Sequence, residues 1–526
     1  MKRKVIAIIL AIAMCTLLLA ACADTSTPGT GTTPGADPGT PPAAGTNTPA
    51  PPIDTDTVEN LVMAMGFFVL PADVQLIQDA MNEILVPRYG INLELLVMDV
   101  ASYNQNASLM LTSGDQIDVM SSLFVGYVSM HQQGFLMDLE ENNLLANYGS
   151  GIIDALGGME LIDGARINGN LYGLPNNRDY AMGRGAFAVG TQYLEAIGYP
   201  LPNPNIDVIH ISIDEFDDIL SQIHVEFPDI ETIRPLMPGN IVHYFPIDNV
   251  GAEPFGVLLD PANDLTVSNF FGSQLFRDYV DMAYSWNQRG FIGGDAATDE
   301  TPVTALASAG RIMSYFTGGK PGIVAQESGL CAQPMTIFQT GIDFMASNAA
   351  AAFPWVIPYT TANPEKAMTL LNAIYTDPEL SNLMIWGIEG VHYVVEPSGH
   401  ITFAPGVDGS NSGWFINMAW AMPNQFIAHI WEGNDLNLPQ QLMDFNASAV
   451  VSKAFGFIFD STPVRNEIAA VTNVYEELMP SLGLGFVNPE EGIAQLVERM
   501  EAAGLNRIIA EKQSQIDAWA LAAGVR

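Results

Sequence analysis

Between residues 61 and 120 the spacing of apolar side chains switches repeatedly between the period of a strand and that of a helix, and this alternation constrains the fold more than any other feature. Residues 61–65 read as a strand, followed by Gly66, Phe67 and Phe68, and then by a helix whose Ile77, Ala80, Met81, Ile84 and Leu85 share one face. Ile91, Leu93 and Leu95 alternate with Asn92 and Glu94 as a second strand, a helix runs through Leu109 and Leu111, and residues 117–120 make a third strand. Strands separated by helices pair in parallel through crossover connections, so the expected class is α/β.

What precedes this region cannot belong to a core. Lys2, Arg3 and Lys4 lead an apolar run over 5–19 and then Ala20-Ala21-Cys22, the three-part layout of a secretory signal, and the run is too short for a membrane span. Leu19-Ala20-Ala21-Cys22 resembles the lipobox of bacterial lipoproteins. That resemblance implies a signal peptide at 1–21 and a mature chain that begins at Cys22, whose thiol carries diacylglycerol and acyl chains such as palmitate. Residues 22–57 then form a tether of Thr, Pro, Gly and Ala without apolar periodicity. Extended at about 3.1 Å per residue, it reaches on the order of 100 Å. The remaining body, about 470 residues, is long enough to divide into two lobes.

The formal charge is −39, and −42 once Lys2, Arg3 and Lys4 leave with the signal. So acidic a surface disfavours nucleic acid and anionic lipid, and points to a neutral or cationic solute. After processing, Cys22 and Cys331 are the remaining cysteines, so an intrachain disulfide is not expected. The seven histidines lack ligand spacing, and no metal or cofactor is expected.

Helix starts are legible further on. Ser212-Ile213-Asp214-Glu215 reads as a capping box, while Asp377-Pro378-Glu379 and Asn488-Pro489-Glu490-Glu491 each combine a capping side chain, a proline at the first helical position and acids on the positive end of the dipole.

Four stretches resemble the extracellular solute-binding proteins of ABC importers, in the large family that includes the maltose- and oligosaccharide-binding proteins. They are 111–119 (LTSGDQIDV), in which Ile117 stands where the family has proline; 169–175 (GNLYGLP), with Asn170 in place of lysine; 193–230; and 366–393, which contains Gly387-Ile388-Glu389-Gly390-Val391-His392-Tyr393. Residues 452–457, 463–468 and 503–517 are similar to the terminal domain of a Gram-positive lipoprotein subgroup. The collinear set spans most of 58–520. It implies a two-lobed periplasmic-binding-protein-like fold (type II) whose lobes are joined by hinge crossings around a ligand cleft. The first lobe is expected at 58–175 plus 325–395, the second at 176–324 plus 396–526, and the first crossing at 172–177. The implied function is capture of a small polar solute, a sugar or oligosaccharide, by a monomer anchored on the extracellular face of the membrane and delivering to permease subunits.

A sugar offers apolar C–H faces and a rim of hydroxyls, so its site requires flat aromatic rings with Asp, Asn, Glu or Arg at their edge. Position nominates Phe67, Phe68, Asp118, Tyr127, Asn177, Arg178, Trp355, Trp414 and Trp420, with Trp355 in a connector. Trp286 and Trp519 fall in helical patterns and read as packing, Asp118 reads equally well as a structural cap, and Arg178 as a link between lobes. The rival readings are a secreted glycoside hydrolase and a peptide-binding or adhesive lipoprotein. With 58 acidic residues some pair of carboxylates always occurs, so abundance does not favour a hydrolase. The sequence lacks H-E-x-x-H, a Walker loop and G-x-S-x-G, and 409–413 carries Asn411 where a nucleophile would stand. The expectation is a binding protein and not an enzyme.

Overall fold

The computed structural model describes residues 55–201, 207–235, 244–299, 301–409 and 411–525. The signal segment, Cys22 and nearly all of the tether lie outside the described residues. In chain order the strands are β1 (Glu59–Phe67), β2 (Ile91–Asp99), β3 (Val119–Ser121), β4 (Gly173–Leu174), β5 (Met182–Gly190), β6 (Ile209–His210), β7 (Glu231–Arg234), β8 (Val257–Leu258), β9 (Val267–Ser268), β10 (Ile312–Gly319), β11 (Met335–Gln339), β12 (Asp343–Met345), β13 (Trp355–Val356), β14 (Tyr393–Val395), β15 (Ile401–Phe403) and β16 (Val450–Val451).

Two larger sheets result. The first has the order β2-β1-β3-β13-β4. Its β1 runs parallel to β2, from Glu59 opposite Ile91 to Phe67 opposite Asp99, and parallel to β3. The crossovers are the helices Val74–Tyr89 and Val100–Ser113, as the alternating periods predict. Because both faces of this sheet are covered, β1 is buried from Met63 to Phe67. Leu61, Met63, Met65 and Phe67 point to a core shared with Ile77, Met81, Leu371 and Ile374. Ala64 points the other way, towards Tyr103 and Leu111. Gly66 lies on that second face, where a Cβ would come within 2.7 Å of the Tyr103 ring.

The second sheet has the order β16-β12-β5-β10-β7, with β11 also on β5 and β6 on β11. Successive residues of β5 serve opposite layers, as a two-residue period demands. Phe187 and Val189 enter one core with Phe216, Phe316 and Trp286, while Ala186 and Ala188 enter another with Tyr315 and Ile337. Phe187 stacks on Phe216 with ring centroids 3.9 Å apart. Each such ring contributes about 1.5–3 kcal/mol by its burial.

The helix starts fall where the sequence places them. Ser212 and Glu215 exchange backbone bonds of 2.8 and 3.2 Å, Asp377 accepts from the Glu379 N–H, and Asn488 accepts from that of Glu490.

The pairing corrects the expected division of the chain. The expected first lobe included 325–395, yet β11 and β12, within 335–345, pair with β5 in the second sheet. The expected second lobe included 396–428, yet β15 pairs with β14, and Trp414, Ile416, Met418 and Ala428 fill the core of the first sheet. Trp355, expected in a connector, belongs to β13, which runs antiparallel to β3 and β4.

The chain ends in the helices Arg465–Gly483, Pro489–Ala503 and Leu505–Ala523. Val471, Tyr475, Leu496 and Ile508 from these helices join Phe270 and Phe271 in the core of the second sheet. The last helix is pinned by Lys512, which is buried and donates to the carbonyls of Asn249, Glu253 and Gly256 at 2.8, 3.2 and 3.0 Å. Burial pushes its ammonium from 10.5 down to about 7, against the opposing pull of Glu253 and Asp248. A base with a depressed folded-state value is charged in both states below that value and charged in the unfolded state alone just above it. Stability therefore rises with pH between about 7 and about 9. Urea unfolding across this window should show that rise, and Lys512→Met should flatten it.

Candidate functional site

In the first sheet β1, β3 and β4 run the same way, so the segments after them, 68–72, 122–126 and 175–181, gather at one edge. In the second sheet β7 is parallel to β10, and β6 to β11. The last residues of β10 and β11 lie opposite the start of β5, where the chain arrives from the first sheet. The carboxyl edges of both sheets therefore face the chain crossings, the position where open α/β sheets bind ligands.

The crossings are residues 175–181, between β4 and β5, and 346–354, between β12 and β13, together with the return from the core around Ala428 to the helix Leu438–Ser448. Polar side chains tie them together. Asn176 donates to Ala421 O at 2.7 Å. Asn177 forms a parallel bridge with Asn424 and donates to Ala155 O at 2.8 Å. Asn446 accepts from Tyr180 N and donates to Arg178 O.

Asp179 is the electrostatic centre of this knot. Its carboxylate accepts from Lys320 Nζ and from Gln425 Nε2, each at 2.8 Å. Burial alone would raise the Asp179 carboxyl, but the neighbouring Lys320, then Arg178, then the hydrogen bonds bring it below the ordinary carboxylate value. Arg178 is also tied in place: its guanidinium lies 4.7 Å from the centre of the Tyr180 ring and 4.5 Å from that of Phe353, and donates to Asp179 O and to Ala349 O. Burial raises the Tyr180 hydroxyl, which donates to Asn176 O.

Aromatic rings stand along the first edge. Phe68, 64% exposed, meets Phe124 edge-on with centroids 5.2 Å apart, and Phe353 meets Trp420 edge-on at 5.4 Å. The second edge carries a cavity of about 260 Å³ lined by His210, Lys320, Gln339, Asp343, Gln441 and Phe445. Gln339 is held there by close packing, since a Cβ on Gly183 or Gly319 would collide with its side-chain amide.

Of the sequence candidates, Phe68, Asn177, Arg178 and Trp420 stand at this junction. Five others are corrected by burial. Phe67 packs edge-on against Trp414, both within the core. Trp414 and Trp355 donate their indole N–H groups to Met384 O and Ala421 O. Tyr127 is buried and donates to Ala165 O. Asp118 is fully buried and accepts from Val62 N, Gln116, Thr361 and Ala362 N, the structural role that its sequence position equally allowed. Sequence reasoning passed over Phe124, Phe353, Lys320 and Gln425. Lys320 carried a usable signal, as a rare cation directly after the Gly318-Gly319 end of a strand.

Comparison with known proteins agrees with this architecture. Residues 453–521 match the model of a domain of unknown function, DUF3502. The chain is 25% identical over 443 residues to a carbohydrate ABC transporter substrate-binding protein of Streptococcus pneumoniae, covering 83% of this chain and 86% of that protein. It is similar to the crystal structure of the N-glycan transport solute-binding protein NgtS of Streptococcus pneumoniae, with a TM-score of 0.75, 22% identity, and coverage of 87% of this chain and 98% of the other. It is also similar to an HMO-binding, ABC-transporter-associated solute-binding protein of Bifidobacterium longum infantis, with a TM-score of 0.59, 16% identity, and coverage of 88% and 99%. The fold is that of the two-lobed solute-binding proteins, one lobe built on each sheet.

Asp179→Asn should weaken the knot, because it leaves Lys320 facing a neutral amide. The expected cost is about 1–3 kcal/mol, read as a lower urea midpoint at pH 7. The Asp179 carboxyl is depressed, so its contribution is present above the ordinary carboxylate value and fades as pH falls through the folded-state value. The difference between variant and wild type should therefore shrink in acid.

Proposed function

We propose that this protein is the substrate-binding component of an ABC importer and that it captures a neutral oligosaccharide between its two lobes without altering it. The observation that carries this reading is the junction of the lobes, where the carboxyl edges of both sheets meet a tied set of crossings and aromatic rings stand along one side. The exposed Phe68 ring and the half-buried Trp420 suit the apolar faces of sugar rings, and Asn, Gln and His side chains suit their hydroxyls. Closure of hinged lobes would remove both ligand faces from water. A crystal structure of the related NgtS holds Man5GlcNAc, which supports the class of ligand. The net charge of −39 favours an uncharged ligand over an acidic one. Within the same reading, Cys22 carries the lipid anchor, residues 22–57 hold the body clear of the outer membrane surface, and permease subunits receive the solute. The first lobe then comprises about 58–175 with 353–428, and the second the rest of the body.

Titration calorimetry of the full chain against Man1GlcNAc, Man5GlcNAc and a uronic-acid oligomer tests the reading. Binding is expected for a neutral glycan and weakened at least tenfold by Phe68→Ala or Trp420→Ala, with the glycan recovered intact by mass spectrometry. Cleavage of the glycan would favour a hydrolase, and preference for the uronic-acid oligomer would contradict the neutral-ligand reading.

The anchor has its own test. Cys22→Ser should move the protein from the membrane fraction to the medium, and retention on the membrane would refute lipidation at that residue.

A further inference from the structure

The region matched as a domain of unknown function begins with a segment, 453–460, a turn followed by irregular chain, that touches both lobes. At its start, Lys453 N donates to Pro261 O and Ser452 N to Met345 O, which fixes it to the second lobe. From there its side chains divide between two surfaces. Phe457 meets Trp519 edge-on at 5.8 Å, and the Phe459 ring lies 5.4 Å from the Lys512 ammonium, so both face the last helix. Phe455 and Ile458 face the first lobe. Ile458 packs, as Tyr172 does, against the first-lobe cluster that contains Tyr127 and Ile167. The Phe455 ring lies over Gly164, where a Cβ would approach it to 2.7 Å. Asp460 closes the segment on both sides at once. Its carboxylate accepts from Gln132 Nε2 of the first lobe at 2.8 Å, while its backbone exchanges two bonds of 2.9 Å with the Gln515 side chain of the last helix.

The three terminal helices are themselves part of the second lobe's core, through Val471, Tyr475, Leu496 and Ile508. They move with that lobe. Phe455 also packs against Tyr180 and Ala349 of the crossings, whereas the contacts of Ile458 and Asp460 join a rigid extension of one lobe to the surface of the other away from Asp179. We infer that the C-terminal domain is an interlobe latch: it uses the 453–460 segment to limit how far the lobes swing, and so sets the balance between their arrangements from outside the ligand site. Its contacts with the first lobe include the Phe455 ring over Gly164, the aliphatic contact of Ile458 and the exposed hydrogen bond from Gln132 to Asp460. Contacts of this kind, a ring edge, an aliphatic side chain and an exposed hydrogen bond, are individually weak and can be broken and remade.

The test does not need the ligand, so it stands or falls separately from the carbohydrate reading. Two bioorthogonal labels on the full chain, at exposed Leu109 of the first lobe and Val225 of the second, report the interlobe distance distribution. The latch predicts a broader distribution for Gln132→Ala with Phe455→Ala than for wild type. It predicts the same broadening for Gly164→Ala, which presses on the Phe455 ring, and on Ala350 beside it, from the first-lobe side and changes no residue of 453–521. The circular dichroism and urea midpoint of Gly164→Ala, held near wild-type values, separate loss of the latch from loss of the fold. An unchanged distribution in both variants would overturn the inference.

Discussion

The central strands of both sheets are buried on both faces, and that constraint shapes everything else. A chain passing from one such sheet to the other can do so only at their edges, and its backbone groups there must find partners away from either ladder. The crossings meet this need with side-chain amides and one ion pair. The side chains of Asn176 and Asn446 bond backbone groups of Ala421, Tyr180 and Arg178, Asn177 and Asn424 bridge backbone to backbone, and Asp179 gathers Lys320 and Gln425. Polar groups at such a junction can exchange partners with modest cost, whereas the apolar cores on either side cannot deform continuously. The junction is thus the natural place for two rigid bodies to hinge.

The proposed function uses the same geometry. With the carboxyl edges of both sheets turned towards the crossings, the loops after β1, β3, β10 and β11 would wall the proposed site. Phe68 stays exposed at the rim of the first core and Trp420 packs only partly against it, while Phe67 and Trp414 are buried within it. Adjacent residues of one short segment therefore have opposite duties, one structural and one open to solvent.

This division explains how far the sequence could be read. The alternating periods of 61–120 prescribe the parallel sheet and its crossover helices, and Ser212, Asp377 and Asn488 mark helix starts, because those signals are local. The site is not local. Phe67 and Phe68 are identical as residues, and only the direction of the pleat at the end of β1 separates the buried ring from the exposed one. Trp355 and Trp414 looked like platforms because tryptophan serves cores and sugar sites alike, and their partners, Ala421 O and Met384 O, lie far along the chain. Asp179 was legible only as a neighbour of the first crossing, since Lys320 and Gln425 reach it from segments more than a hundred residues away. Segments 335–345 and 396–428 were placed in the wrong lobe for the same reason: strand pairing over long separations decides membership, and periodicity does not report it.

The central claim is that two lobes hinge about the Asp179 junction and close on a neutral glycan. Small-angle X-ray scattering of the full chain, without and with saturating Man5GlcNAc, measures that closure directly. The account predicts that the glycan reduces the radius of gyration and that Asp179→Asn alters the size of the reduction. Saturation with bound glycan at an unchanged radius of gyration would contradict it.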